Sequence, residues 1–279
     1  MKLLVAGDTR VDAGKTTFAA GLLASLSEAV GFKPRAGNDY WFDHDDVATA
    51  LSEGRLYGKD VATLTAAATD SVAHDLREEQ LNPVHRLWRP TPDQTGLLGE
   101  QGRTFLVDRV TTAEGPRFAV NGEAEAAGLI PDRLFEALPL GNAPRVETVD
   151  GFNELMAERY LPAFERVVDR ISQTEPAVVE SYSDIALPVD EIAFDAVAVV
   201  GPTRARIFDG QRYGKACEVA RGSAREGQLE ERVDRVVEMI DPVSTHELAA
   251  LSSTERSDPT SIASQYEPVY ESLLDAALR

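Results

Sequence analysis

Residues 3–17 read Leu3-Leu4-Val5-Ala6-Gly7-Asp8-Thr9-Arg10-Val11-Asp12-Ala13-Gly14-Lys15-Thr16-Thr17, and Phe18-Ala19-Ala20-Gly21-Leu22-Leu23 follows directly. An apolar run, a glycine-bounded loop and an uncharged run predict a strand, a loop and a helix start, with Gly14-Lys15-Thr16 at the turn. Such a turn holds phosphate: loop amides point at the anion and the helix N-terminus adds partial positive charge. Gly7, Asp12, Ala13, Gly14, Lys15, Thr16 and Thr17 are the candidate nucleotide-binding residues. Lys15 is placed to reach the β- and γ-phosphates and the Thr16 hydroxyl to bind Mg²⁺. The usual loop has about four residues between its first glycine and Gly-Lys-[Ser/Thr]; here six separate Gly7 from Gly14. The helix is expected over about Lys15 to Val30, with Phe18, Leu22, Leu23 and Leu26 on one buried face.

Working outward, the apolar runs alternate with helical patterns. Val30 to Arg35, Ala177 to Glu180 and Phe194 to Val200 read as buried strands. Helical patterns fall near 46–57, 60–78, 132–139, 150–174, 225–240 and 261–278, with Pro162 expected to kink the fourth. Two β-rich runs within 103–120, joined through Ala113-Glu114-Gly115-Pro116, predict a hairpin. The alternation predicts an α/β fold with a mainly parallel sheet flanked by helices, as one domain over 1–279 with a hairpin insertion at about 100–122. Ligands of such sheets sit at the carboxyl ends of the strands.

Charge narrows the function classes. The 279 residues carry 47 Asp plus Glu against 28 Lys plus Arg, a net charge of −19, and only five of the basic residues are lysine. Acidic residues spread along the whole chain resemble the surface of a halophilic protein, whose self-repulsion is screened by salt. A surface of this sign excludes a nucleic-acid footprint and docking on anionic lipid. No apolar stretch approaches the ~20 residues of a membrane span. The apolar segment after Lys2 is too short for a signal peptide, and Cys217 is the single cysteine, so a cytoplasmic location is expected. The partners expected are a small-molecule substrate and a second copy of the chain, with no nucleic acid and no membrane.

The loops after the other strands add chemistry. Glu180 ends the run Pro176-Ala177-Val178-Val179; a carboxylate there can hold Mg²⁺ directly or through water, or can simply end a strand. Lys33 ends the strand before it and is one of only five lysines. It is read as a catalytic group beside Lys15, with a solvated lysine as the plain alternative. Asp39, Asp43, Asp45 and Asp46 cluster in the next segment; Asp46 is the candidate second magnesium acid, the others being capping or solvent-facing charges. Gly201-Pro202-Thr203-Arg204 either lines the base or substrate or is an exposed turn.

Four segments in order resemble dethiobiotin synthetase and its relatives among the phosphate-loop enzymes. Gly7 to Thr17 resembles their phosphate loop, and Gly31-Phe32-Lys33-Pro34 the strand ending Tyr-Lys-Pro. Leu81-Asn82-Pro83-Val84-His85-Arg86-Leu87 resembles their Asn-Pro segment. Val178-Val179-Glu180, with Pro188 downstream, resembles Val-Glu-Gly-Ala-Gly-Gly followed by Pro. The chain also resembles archaeal proteins described as predicted phosphate-loop ATPases or GTPases. The resemblance implies that Lys33 faces substrate and phosphate and that Glu180 binds Mg²⁺. The phosphate loop is one residue longer than the synthetase form, and Ser181-Tyr182-Ser183-Asp184 stands where the family has Gly-Ala-Gly-Gly. The magnesium and phosphate roles therefore carry over, and the dethiobiotin substrate does not. With no Asn-Lys-x-Asp for guanine, ATP is the expected nucleotide and GTP the alternative, with Mg²⁺ as cofactor. The expected activity is hydrolysis or transfer of the γ-phosphoryl group, ligase-like on a small carboxylate or carbamate. The rival is a nucleotide-gated regulatory or assembly switch, whose loops usually carry an extra lysine; residues 8–13 have Arg10 and no lysine.

Overall fold

A computed structural model describes residues 1–9, 13–68, 76–221 and 231–279. In chain order the first elements are β1 (Lys2–Gly7), α1 (Lys15–Ser25), β2 (Val30–Phe32), β3 (Arg35–Asp39), α2 (His44–Ser52), α3 (Lys59–Ala67) and α4 (Glu78–Leu81). Then come β4 (Val84–Thr95), β5 (Gln101–Thr112), β6 (Gly115–Asn121), α5 (Gly122–Ala126), α6 (Asp132–Ala137), β7 (Arg145–Val146) and α7 (Val149–Leu155). A π-helical turn over Met156–Tyr160 leads into α8 (Leu161–Gln173), followed by β8 (Ala177–Glu180), β9 (Ala196–Gly201), β10 (Arg204–Asp209) and α9 (Gly210–Ala220). The chain ends with α10 (Val233–Val237), β11 (Ser244–Glu247), α11 (Ser253–Arg256), α12 (Pro259–Gln265) and α13 (Glu267–Ala277). The class is α/β. The chain divides into two compact units, the first made of residues 1–34, 63–76 and 168–279, the second of 35–62 and 77–167.

The first unit is built on a six-stranded sheet in the order β11-β10-β9-β1-β8-β2. The four strands β9, β1, β8 and β2 run parallel; β10 and β11 add antiparallel pairs at one edge. The sheet is thus mixed, where the sequence suggested a mainly parallel one. The difference comes from β10, whose Arg204-Ala205-Arg206-Ile207 alternation reads as polar, and which turns straight back on β9 through Thr203 at φ 65°. The parallel strands are apolar without alternation because both faces are covered: Leu3 to Ala6, Ala177 to Val179 and Ala196 to Val200 are all buried.

Helix α1 buries more than the single stripe expected. Phe18, Ala19, Ala20, Leu22 and Leu23 all lie in the core with Ile262, Tyr266 and Tyr270. Gly21 permits this: a Cβ there would stand 2.5 Å from Ile262 Cγ2 and Tyr270 Oη. The Tyr270 hydroxyl donates to the Phe18 carbonyl, 2.9 Å. The helix stops at Ser25, with Leu26 extended as its C-cap.

The second unit carries a five-stranded mixed sheet, β3-β4-β5-β6-β7. The hairpin is β5–β6, joined antiparallel from Val107↔Val120 to Thr112↔Gly115, and it belongs to a sheet with apolar clusters on Leu87, Leu106 and Val120 and on Trp88, Phe105 and Val110. Arg109 is fully buried in β5, its guanidinium donating to the Leu56, Asn82 and Pro83 carbonyls, Thr111 Oγ1 and Asn82 Oδ1. Around Pro162, where a kink was expected, the chain forms the π-helical turn. Proline cannot donate to the carbonyl four residues back, and a wider turn just before it relieves the ladder. The turn directs Tyr160 inward, where its hydroxyl donates to Asp108, which also pairs with Arg86. Among the described residues no helix is long and apolar enough to cross a membrane.

Candidate functional site

Sheet register places the site in the first unit. The parallel strands end on one edge: Val5 lies opposite Glu180, Phe32 opposite Val179 and Gly7 opposite Val200. Lys33, one residue beyond β2, therefore comes level with Glu180 at the end of β8. That edge is where open α/β sheets hold ligands.

The start of α1 faces the same edge. Gly14 takes the left-handed conformation, φ 80°, as its N-cap, a shape that costs glycine least. Among the described residues no side chain caps the helix and no acid stands in its first turn, so none of them neutralises its positive end. Lys15 folds back over the end of β1. A Cβ on Gly7 would stand 2.8 Å from Lys15 Nζ and 3.0 Å from its Cδ, so the glycine makes room for the lysine stem. Lys15 is 8 % exposed, and its ammonium donates to the Ser183 carbonyl, 2.8 Å.

Three of the residues named from the sequence meet at one carboxylate oxygen. Glu180 Oε1 accepts from Thr16 Oγ1 at 2.9 Å and from Lys33 Nζ at 2.7 Å. The Lys33 and Glu180 side chains are 4 % and 1 % exposed, so this ion pair is shielded from water and from salt screening. Gly7, Ala13, Gly14 and Thr17 stand in the loop and first turn beside it. Asp12 lies outside the described residues. Asp46 lies in the first turn of α2, in the second unit. There it complements the helix start, and with Asp39 and Asp60 it adds to burial in pushing the Asp43 carboxyl up.

Some of the site could not be read from residue types. The segment after β8 is tied down on both sides: Ser181 N–H donates to the Val5 carbonyl and its hydroxyl to Ile185 O at 2.6 Å. Asp184 accepts from Arg232 Nη1 with both carboxylate oxygens at 2.6 Å. Burial alone would raise the Asp184 carboxyl, but the Arg232 bond and charge outweigh it and hold it below the ordinary aspartate value. Ser183 between them is left-handed, φ 53°, and its carbonyl is the one that faces Lys15.

On the other side of β1, Asp8 N–H donates to the Val200 carbonyl. Its Oδ2 lies 3.3 Å from Arg204 Nη2 and 3.8 Å from Arg206 Nη2. Among the described residues its buried Oδ1 has no hydrogen-bond partner, nor has Arg206 Nε. Gly201 makes the space, since a Cβ there would fall 2.1 Å from Asp8 Oδ1. Arg204 thus engages the loop after β1. Burial, with Arg204 alongside, lowers the Arg206 guanidinium from its ordinary value.

The donor set suits Mg²⁺ held with a nucleotide. Such magnesium takes one or two protein oxygens and completes its shell with water and phosphate; Thr16 Oγ1 and Glu180 Oε1 are two oxygens already 2.9 Å apart. An all-protein cage is a different design, and among the described residues no cluster of three or more His, Cys, Asp or Glu forms one. No family model, curated protein or solved structure matches the chain.

Proposed function

We propose that the first unit is a phosphate-loop domain that binds Mg·ATP and hydrolyses it or transfers its γ-phosphoryl group, ligase-like, to a small carboxylate or carbamate. The observation that carries this reading is the meeting of Thr16 and Lys33 on one oxygen of Glu180, beside a helix start that presents Lys15. Lys15 and the α1 N-terminus bind the phosphates. Thr16 and Glu180 are the residues that would hold Mg²⁺, which neutralises charge on the phosphate oxygens when bound. Lys33 places a second buried ammonium beside that carboxylate, where it stabilises negative charge that grows during transfer.

The loop after β8 supports the same reading. Ser183 takes the left-handed backbone, φ 53°, and its carbonyl accepts from Lys15 and orients it. Catalysis of this kind rests on positioning and fixed charge. The test is turnover of Mg·ATP by Glu180→Gln, which keeps size and hydrogen bonding and removes the charge. Turnover should fall about a hundredfold, the scale of one preorganised electrostatic group, and nucleotide affinity should fall less. Turnover equal to wild type would end the assignment of Glu180.

A further inference from the structure

The second unit holds a cavity of about 270 Å³ between the turn of the β5–β6 hairpin and the π-helical turn, lined by three arginines, Arg117, Arg159 and Arg166, and two glutamates, Glu114 and Glu158. In a chain of net charge −19, a lining with more guanidiniums than carboxylates is against the general trend of the sequence. Their donors are hardly used. Arg166 Nη2 donates to the Thr111 carbonyl at 2.9 Å and Arg117 Nη1 to the Pro116 carbonyl at 3.3 Å. Arg159, only 24 % exposed, has one ion pair among the described residues, a 3.5 Å contact to Glu158, itself 70 % exposed. Each guanidinium has about five N–H donors in a rigid fork, so most of them have no hydrogen-bond acceptor among the described residues. Exposed pairs such as Arg159–Glu158 contribute little and give way readily.

The backbone makes this arrangement. Arg159 sits inside the π-helical turn forced ahead of Pro162, and such turns recur at functional sites. Arg117 comes from the hairpin and Arg166 from α8, so three separate elements contribute the three arginines. The Glu114 carboxyl in the lining is held below its ordinary value, by the Thr112 hydroxyl first and then its own backbone N–H, with Arg117 and Arg166 adding.

We propose that this cavity is a binding site for the phosphate group of a small phosphomonoester. A carboxylate is planar and one arginine fork satisfies it. A phosphate dianion offers three strong acceptor oxygens in three directions, which suits three arginines brought to one cavity by three elements. The cavity residues belong to the second unit and the nucleotide loop to the first, so the test distinguishes binding at the two. In a Lys15→Ala background, which removes the principal lysine of the loop, inorganic phosphate is titrated calorimetrically at constant KCl. One saturable site is expected. Arg159→Ala, and independently Arg117→Ala on the exposed hairpin, should each weaken it at least about tenfold, the scale of one charge-assisted hydrogen bond. Circular dichroism checks that each variant is folded; should Arg159→Ala fail to fold, Arg117→Ala decides. Arg159→Lys, with the charge but not the fork, should fall between. The proposal is overturned if the Lys15→Ala protein shows no saturable phosphate site, or if folded arginine variants bind phosphate as tightly as their parent.

Discussion

Lys33 and Glu180 should behave as one coupled group, and a double-mutant cycle measures it. Both side chains are at least 96 % buried and 2.7 Å apart. Lys33→Met leaves the Glu180 carboxylate in the interior with the Thr16 hydroxyl but without that ammonium. Removing one partner of a buried pair costs about 3–5 kcal/mol. Glu180→Gln should cost about 3 kcal/mol, the low end, because the amide oxygen still accepts hydrogen bonds while the charge is gone. The double variant has neither charge, and replacing both members of a buried pair is often close to neutral. Two single losses of about 3 kcal/mol or more against a joint loss near zero give a coupling of up to about 6 kcal/mol, of which about 2 kcal/mol or more should remain after the surroundings of each single variant relax. Urea unfolding followed by circular dichroism, in a fixed high concentration of KCl, supplies the four stabilities. Additivity within about 0.5 kcal/mol would mean that each group is solvated by something other than its partner, and the pair would not be coupled.

Other perturbations separate the remaining claims. Gly7→Ala puts a methyl against the flexible end of Lys15, so it should lower nucleotide affinity with a stability loss under about 1 kcal/mol; unchanged affinity on calorimetry would show that Lys15 does not need that space. Raising KCl from about 0.1 to 1 M shortens the screening length from about 10 to 3 Å, so the melting temperature should climb with salt, and a flat profile would count against adaptation to high salt. Asp184 has a lowered carboxyl in the fold, so its contribution is present above the ordinary aspartate value of about 4 and is lost as pH falls below it. Asp184→Asn should flatten that acid limb of the unfolding profile, and an unaltered acid limb would contradict the Arg232 pairing.

What the sequence made legible follows from which interactions are written in residue type. β1, β8 and β9 announced themselves because strands covered on both faces are apolar at every position. Lys15, Thr16, Lys33 and Glu180 could be named one at a time because lysines are scarce in this chain and because Glu180 closes an apolar run. Their meeting is a product of register, Val5 against Glu180 and Phe32 against Val179, which no local pattern encodes. β3 reads Arg35-Ala36-Gly37-Asn38-Asp39, residues depleted in strands, and was legible only as a loop and helix start. Its pairing with β4 overrides that propensity. The division into two units was hidden because α3 and α8 each run from one unit into the other in sequence, leaving no linker composition to mark a boundary. The Ser183 carbonyl was invisible for a simpler reason: every residue has one, and only the fold selects which faces an ammonium.

Lys15 and the start of α1 are proposed to hold the phosphates of a nucleotide. Calorimetric titration of Mg·ATP into the wild-type chain and into Lys15→Ala, both folded by circular dichroism in the same KCl, decides this. One saturable site is expected in the wild type and at least about a tenfold loss in the variant, the scale of one charged hydrogen bond. Equal affinity in the two proteins, or no binding to the wild type, would contradict it.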